Sequence, residues 1–334
     1  MIKIFIKFFT RIIILIFICL FSSGLYATDI NKKKKKEKKK KLPHNIEAIE
    51  SKFMFRPFYT TQFTKLSISP RAFENANNII YKPNVFGSVG FETSIKKIKF
   101  AYAFKLNPLN KSFGKTDYKN INIGIQTRIV GLKFSFLKYK SFYLKNTDDF
   151  GITNNYIRPD INIYSVGFSV DFVMTKSFSI NAAFAQSERQ KKSAGSFMIM
   201  LGDRYTFFDS DSSIILPQEA SKYDRIKDIR KAKSNTLLIA PGVGYSIIFK
   251  RFNFTPILLA GTGPQIKMYD YTGSNAFSFR LPIYFLYKNA FGYNGEKFFF
   301  NLIYSYDLNN LRFKDSNVNL SIIYWKISAG FRII

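Results

Sequence analysis

Residues 323–333 read Ile-Tyr-Trp-Lys-Ile-Ser-Ala-Gly-Phe-Arg-Ile. Ile323, Trp325, Ile327, Ala329, Phe331 and Ile333 alternate with Tyr324, Lys326, Ser328, Gly330 and Arg332. Successive side chains of a strand point to opposite faces, so only as a β-strand does this segment sort into one apolar face and one polar face. A helix would spread both kinds around its circumference. The segment also has about the length, roughly 9–11 residues, that a tilted strand needs to cross a bilayer.

The period recurs upstream. In 120–129, Ile121, Ile123, Ile125 and Ile129 oppose Asn120, Asn122, Gly124, Gln126 and Arg128. In 166–172, Val166, Phe168, Val170 and Phe172 oppose Gly167, Ser169 and Asp171. Phe178, Ile180, Ala182 and Phe184 oppose Ser179, Asn181, Ala183 and Ala185, which predicts a further strand, and Phe277, Phe279, Leu281, Ile283 and Phe285 share a face. Repeated alternating segments of about ten residues are the signature of a membrane barrel. Backbone polar groups inside a bilayer must all pair, so such a sheet must close. A soluble sandwich or lipocalin-like barrel alternates too, with its apolar face inward, and alternation alone does not say which face looks in.

The connections follow a pattern. Short turns are predicted near Lys96–Lys97, Val130–Gly131, Thr175–Lys176 and Lys250–Arg251, and longer loops at 70–84, 106–117, 145–159 and 209–235. Short turns on one side and long loops on the other fit a membrane barrel. Counting forward gives an odd number of strands, and the slip falls at 209–235. Either that segment hides a strand or one strand is split wrongly, and Ser221 with Asp224 could also cap a short helix there, with Tyr223, Ile226 and Ile229 on one side. The fold class read from the sequence is all-β, an antiparallel transmembrane β-barrel of about 12 strands, within a range of about 10 to 14. Tyr102, Tyr118, Tyr139, Tyr143, Tyr287, Tyr304 and Tyr306 lie near predicted strand ends, as an interfacial girdle would.

Composition agrees. The 334 residues hold 38 Phe and 20 Tyr but one Trp, one Cys and one His, with a mean hydropathy of −0.07. That is too polar for a helical membrane bundle and too aromatic for disorder. Residues 1–27 read as a cleaved signal peptide: Lys3, Lys7 and Arg11, then the apolar run Ile12–Phe21, then Ser22, Ser23 and Gly24 before Ala27. Residues 28–57 form a periplasmic tail whose stretch 32–41 holds nine Lys and one Glu, charges dense enough to repel and stay extended. The barrel is expected over 58–334, in the outer membrane. The net charge of +29 suits nucleic acid, anionic lipid or anion selection, and export removes nucleic acid from these.

Several stretches resemble a domain-of-unknown-function family of Gram-negative envelope proteins. They are Tyr81-Lys82-Pro83-Asn84 with the strand Gly87–Phe91, Gly114-Lys115-Thr116-Asp117-Tyr118, Lys138–Leu144, Arg158-Pro159-Asp160, Phe178–Phe184, Gln190–Ser196 and Pro241-Gly242-Val243-Gly244-Tyr245. The resemblance covers roughly residues 80–265. It implies an envelope barrel without an assigned activity. The chain departs from many outer-membrane barrels in ending on Ile333-Ile334 where a terminal aromatic is usual.

Chemistry is narrowed more by what the chain lacks. His44 is the only histidine and precedes the barrel, so histidine-based hydrolysis is not expected, and Cys19, in the leader, leaves no thiolate zinc site. No enzyme activity, cofactor or metal is predicted. Asp148-Asp149, and Asp209 with Asp211, read as solvated loops, with calcium binding as the alternative. Gly242 and Gly244 lack the third glycine of a dinucleotide loop and read as sites of bending or close packing. The candidate ligand residues are cations: Arg189, Lys191 and Lys192 at a rim, and Arg128, Arg280, Lys326 and Arg332 on the inward face. They predict a passive or ligand-selective pore for small anionic solutes. The alternative is a non-conducting structural or adhesive barrel that presents basic loops to anionic envelope polymers or lipid. Expected partners are outer-membrane lipid, lipopolysaccharide among it, and the outer-membrane assembly machinery.

Overall fold

The structure, a computed structural model, describes residues 43–49, 53–70, 77–95, 98–108, 110–223, 226–271, 274–312 and 316–333. The expected signal peptide and the lysine run lie outside the described residues. In chain order the strands are β1 (Ile46–Ala48), β2 (Phe53–Pro70), β3 (Ile79–Lys82), β4 (Ser88–Ile95), β5 (Ile98–Lys105), β6 (Asp117–Gln126), β7 (Val130–Leu144), β8 (Ile157–Val173), β9 (Glu188–Gln190), β10 (Ala194–Asp209), β11 (Lys231–Phe249), β12 (Phe252–Thr262), β13 (Gln265–Tyr271), β14 (Ser274–Arg280), β15 (Ile283–Asn294), β16 (Phe298–Arg312) and β17 (Ser316–Ile333).

Twelve of them close an antiparallel ring in the order β2, β4, β5, β6, β7, β8, β10, β11, β12, β15, β16, β17 and back to β2. The closing seam runs from Phe53 opposite Ile333 to Pro70 opposite Ser316. An even ring places both ends of the described barrel beside the short turns. The first ring strand begins at Phe53, and β13 and β14 prolong β12 and β15 beyond breaks at Gly263-Pro264 and Leu281-Pro282. The proline at each break lacks the N–H that a continuous ladder needs. The segment 277–285, which alternates without interruption as a sequence, is therefore two strands.

The closing segment settles which face looks out. Trp325, Ile327, Phe331 and Ile333 are exposed, while Lys326, Ser328 and Arg332 are buried. A soluble barrel would reverse this. On β11 the outward residues Leu237, Ile239, Pro241, Val243, Tyr245, Ile247 and Phe249 form an apolar run, and Lys231, Lys233 and Asn235 follow beyond it. The run spans twelve residue steps at about 3.3 Å, some 40 Å along the strand, or roughly 28 Å in height at a tilt near 45°. That matches a bilayer core of about 30 Å.

Beyond this belt the polarity inverts. The loop end of the barrel points polar residues outward and encloses an apolar core of Leu66, Ile68, Tyr81, Ile161, Ile163, Phe208, Val318 and Leu320. Strand β3 bridges β2 and β7 here, bypassing the shorter β4, β5 and β6 and narrowing the wall. A bulge helps: Ser141 has φ 76° and the β7–β8 register shifts between Lys140 and Phe142. The extra residue lets Tyr139, Phe142 and Leu144 all face this core.

Three expectations are corrected. Residues 178–185 are not a strand. They form a buried turn, π-helical over Asn181–Ala185, inside the ring. The Ser179 hydroxyl accepts from Ala182 N (3.0 Å) and the Gln190 side chain accepts from Ser179 N (3.0 Å), and these local bonds favour a turn. The connection after Thr175 is accordingly a long excursion rather than a short turn. Second, among the described residues, 209–235 holds no further strand and no helix begins at Ser221. It carries a 3-10 helix over Pro217–Lys222, and Tyr223, Ile226 and Ile229 are buried as that reading's apolar side requires. Third, Tyr118 and Tyr139 are not girdle residues. They face the lumen with ring centroids 4.8 Å apart, because Tyr118 shares the parity of inward Asn120 and Asn122. Tyr287, Tyr304 and Trp325 do form an outward aromatic cluster.

Candidate functional site

The lumen is built from inward positions of the ring strands, and it has three parts. The first is a plug. Residues 178–190 lie against β10, β11, β12, β15 and β16, with Phe178 and Phe184 packed among Val173, Met198, Ile257 and Leu259. Gly244 makes room: a Cβ there would stand 3.0 Å from the Phe178 ring and 3.2 Å from the Met198 sulfur. The close-packing reading of that glycine thus has a concrete partner. Phe178→Ala is expected to cost about 3–5 kcal/mol. The measurement is urea unfolding of the folded barrel, and a loss below about 1 kcal/mol would mean that the plug is only loosely seated.

Opposite its apolar side, the plug is held by wall side chains that satisfy its carbonyls. Arg56 Nη1 donates to Phe184 O (3.0 Å), Asn301 Nδ2 to Ala183 O (3.0 Å) and Asn294 Nδ2 to Glu188 O (2.7 Å). Arg332 donates to the Gln186 carbonyl, to Asn294 Oδ1 (2.6 Å) and to Gly295 O (2.7 Å). Buried carbonyls left unpaired would cost about 1–3 kcal/mol each. In a separate two-stranded sheet β1 pairs with β9, and Arg189 meets Glu47 at 3.1 Å, so the segment before the barrel is stitched to the plug.

The second part is a charge cluster. Glu92 accepts from Arg56 and from Lys326 Nζ (2.5 Å), and that ammonium lies 4.2 Å from the Phe58 ring centroid. All three charged groups are buried. Further round, Arg204 makes a two-pronged contact with Asp307 at 3.1 and 2.9 Å, beneath the Tyr284 ring. Low dielectric strengthens such pairs and makes a missing partner expensive.

The third part is open to solvent. Along β6, β7 and β8 the inward residues Asn120, Asn122, Ser135, Ser165, Ser169 and Asp171 are only half-buried, and Lys133 is exposed. In a closed ring, inward groups meet solvent only from within. This half of the lumen is a vestibule reached from the short-turn end. Its ceiling is a polar layer: Tyr139 bonds Gln62 and Thr64 (2.8 Å), and Tyr118 bonds Gln62 (3.2 Å). Above that layer the apolar core closes the barrel, completed from the 209–231 loop by Ile214, Ile215, Leu216, Tyr223, Ile226 and Ile229. Tyr223 Oη donates to Ile68 O (3.2 Å) and Tyr81 Oη to Ile214 O (3.1 Å). Burial raises both phenol pKa values above the usual tyrosine range, so both enter the core as neutral donors.

The seven cations singled out in the sequence fall in three places rather than one. Lys326 and Arg332 are in the lumen, engaged as described. Arg128, Arg189, Lys191 and Lys192 lie at the short-turn end: Arg128 pairs with Glu188 at 3.2 Å, Lys191 stands 3.8 Å from Glu47, and Lys192 is exposed. Arg280 sits on the β13–β14 hairpin and donates to the Phe279 carbonyl (3.2 Å). Sequence reasoning missed Glu92, Arg56 and Arg204. Glu92 directly follows a stretch quoted for its resemblance, and its parity with Ser88 and Gly90 would have placed it inward. Arg56 was missed because the barrel was started at residue 58. Among the described residues no group of three His, Cys, Asp or Glu side chains is placed to hold a metal.

Fold and lumen together define an antiparallel β-barrel with an apolar exterior, a lumen plugged on one side and a solvent-accessible vestibule on the other. By its sequence the chain belongs to the family described as domain of unknown function DUF4421, whose model matches residues 45–332. No curated protein matches it. Among solved structures it is similar to the outer membrane protease OmpT of Escherichia coli, at 7% identity over 84% of this chain and 96% of that one, with a TM-score of 0.41. It is also similar to the translocator domain of the autotransporter NalP of Neisseria meningitidis, at 13% identity over 84% and 89%, TM-score 0.35. The Pseudomonas putida toluene transporter TodX gives 6% identity over 85% and 90%, TM-score 0.31.

Proposed function

We propose that this chain is a non-conducting, non-enzymatic barrel of the Gram-negative outer membrane, a sealed scaffold whose faces contact anionic envelope components. The observation that carries the reading is the apolar core across the loop end. It lies in series with the solvent-accessible vestibule, so the path ends blind. The apolar belt, matched to bilayer thickness, supports the membrane address. The engagement of Lys326 and Arg332 with a carboxylate and with plug carbonyls supports a structural use of the inward cations over an anion-selective one.

A planar bilayer tests this. Protein reconstituted at low density, with insertion verified by protection of the belt from protease, is expected to give no current steps above baseline. Discrete steps with anion preference would restore the pore reading and overturn this one.

A further inference from the structure

Outward cations of the ring gather at one level. Lys119 on β6, Lys138 on β7, Tyr164 on β8, Phe207 on β10 and Lys233 on β11 are successive cross-strand partners, a single row across five strands. Their neighbours along each strand, Tyr118, Leu137, Ile163, Thr206 and Ala232 among them, face inward. The two aromatic rings are stacked, with centroids 6.0 Å apart, and each carries a lysine: Lys138 Nζ is 5.3 Å from the Tyr164 centroid and Lys233 Nζ is 5.6 Å from that of Phe207.

The row marks the distal edge of the apolar belt. One outward step toward the short turns brings Ile121 on β6, Phe136 on β7, Val166 on β8 and Tyr205 on β10, whereas on β11 Asn235 comes first and the belt begins one step further, at Leu237. Lys119 and Lys138 face each other directly, which repels. No carboxylate comes within ion-pair distance of Lys119, Lys138 or Lys233 among the described residues. The next row differs: Lys231 there stands between Asp209 and Asp270.

We propose that this row binds the phosphate groups of a lipid in the leaflet at the loop end. Two positions are defined: one between Lys119 and Lys138, and one at Lys233, three strand spacings or about 14 Å from Lys138. The stacked rings between them cover the sugar or glycerol portion, and the acyl chains run down the belt beneath. A lipid with two phosphates uses both positions, and an anion there relieves the lysine repulsion. The inference rests on the membrane reading above.

Native mass spectrometry of the detergent-solubilised full chain tests it. The probes are a bisphosphorylated glycolipid, its monophosphorylated form, phosphatidylcholine and inorganic phosphate. The bisphosphorylated lipid is expected to be retained at least ten-fold more than phosphatidylcholine, with inorganic phosphate not retained. The triple variant Lys119→Gln, Lys138→Gln, Lys233→Gln is expected to lose that preference, and the corresponding triple arginine variant to keep it. Equal retention by wild type and glutamine variant would overturn the site, as would retention of phosphatidylcholine equal to that of the glycolipid. Heat-modifiable migration on a gel reports folding of each variant, and failure of the wild type to insert into bilayers would instead strike the membrane reading.

Discussion

Excision of residues 212–228, with Asp211 rejoined to Ile229 through a short glycine linker, is expected to turn a silent barrel into a conducting one. The excised segment supplies Ile214, Ile215, Leu216, Tyr223 and Ile226 to the core that seals the loop end. Without them the remaining wall residues, Leu66, Ile68, Ile161, Ile163 and Phe208, line a gap instead of a packed centre. The gap stands directly above the solvent-accessible vestibule. Single-channel recording should show steps in the variant and none in the parent. Deleting the plug, residues 176–191, is the contrasting case. It widens the vestibule but leaves the seal, so the recording should stay at baseline. Conductance from the plug deletion alone would show that the apolar core is not the seal.

Glu92→Gln is expected to be as destabilising as any single substitution in the lumen. It leaves Arg56 and Lys326 buried side by side with their shared carboxylate gone. Removing one member of a buried ion pair costs about 3–5 kcal/mol, chiefly through the charge left uncompensated. The measurement is urea unfolding of the refolded barrel, read by the shift in gel mobility. Adding Lys326→Met should return a large part of the loss, since one ammonium then no longer needs a partner. A loss under about 1 kcal/mol for Glu92→Gln would mean that solvent reaches the cluster.

The ring was legible in the sequence because a lipid-facing strand obeys a simple rule. Every second residue must be apolar, and segments such as 166–172 and 323–333 keep to it. The plug was misread for a related reason. Phe178–Ala185 alternates large and small residues, which a strand does, but so does a tight turn that packs Phe178 and Phe184 to one side and needs small Ala182 and Ala183 where the wall presses in. Alternation also could not foresee the inversion above the belt, where Val318 and Leu320 continue the inward parity of Lys326 and Arg332 with the opposite polarity. What decides such residues is their height relative to the bilayer, and height is a property of the whole ring. Lys326 and Arg332 were found by parity. Their partners were harder, because Arg56 and Glu92 stand 36 residues apart and meet Lys326 only once β2, β4 and β17 are neighbours.

The seam between β2 and β17 has a consequence for the order of assembly. The first ring strand cannot be paired on both sides until β17, eighteen residues long, has arrived. Until then the row of aromatic and aliphatic side chains has no complete cylinder behind it, and closing so long a loop is entropically slow. The final strand also brings Arg332, whose guanidinium grips the Gln186 carbonyl. Closing the wall and completing the plug's hydrogen bonds therefore depend on the same strand. A nascent chain halted before residue 332 would carry an open edge and a loose stopper together, a state that a quality-control protease could distinguish from the finished barrel.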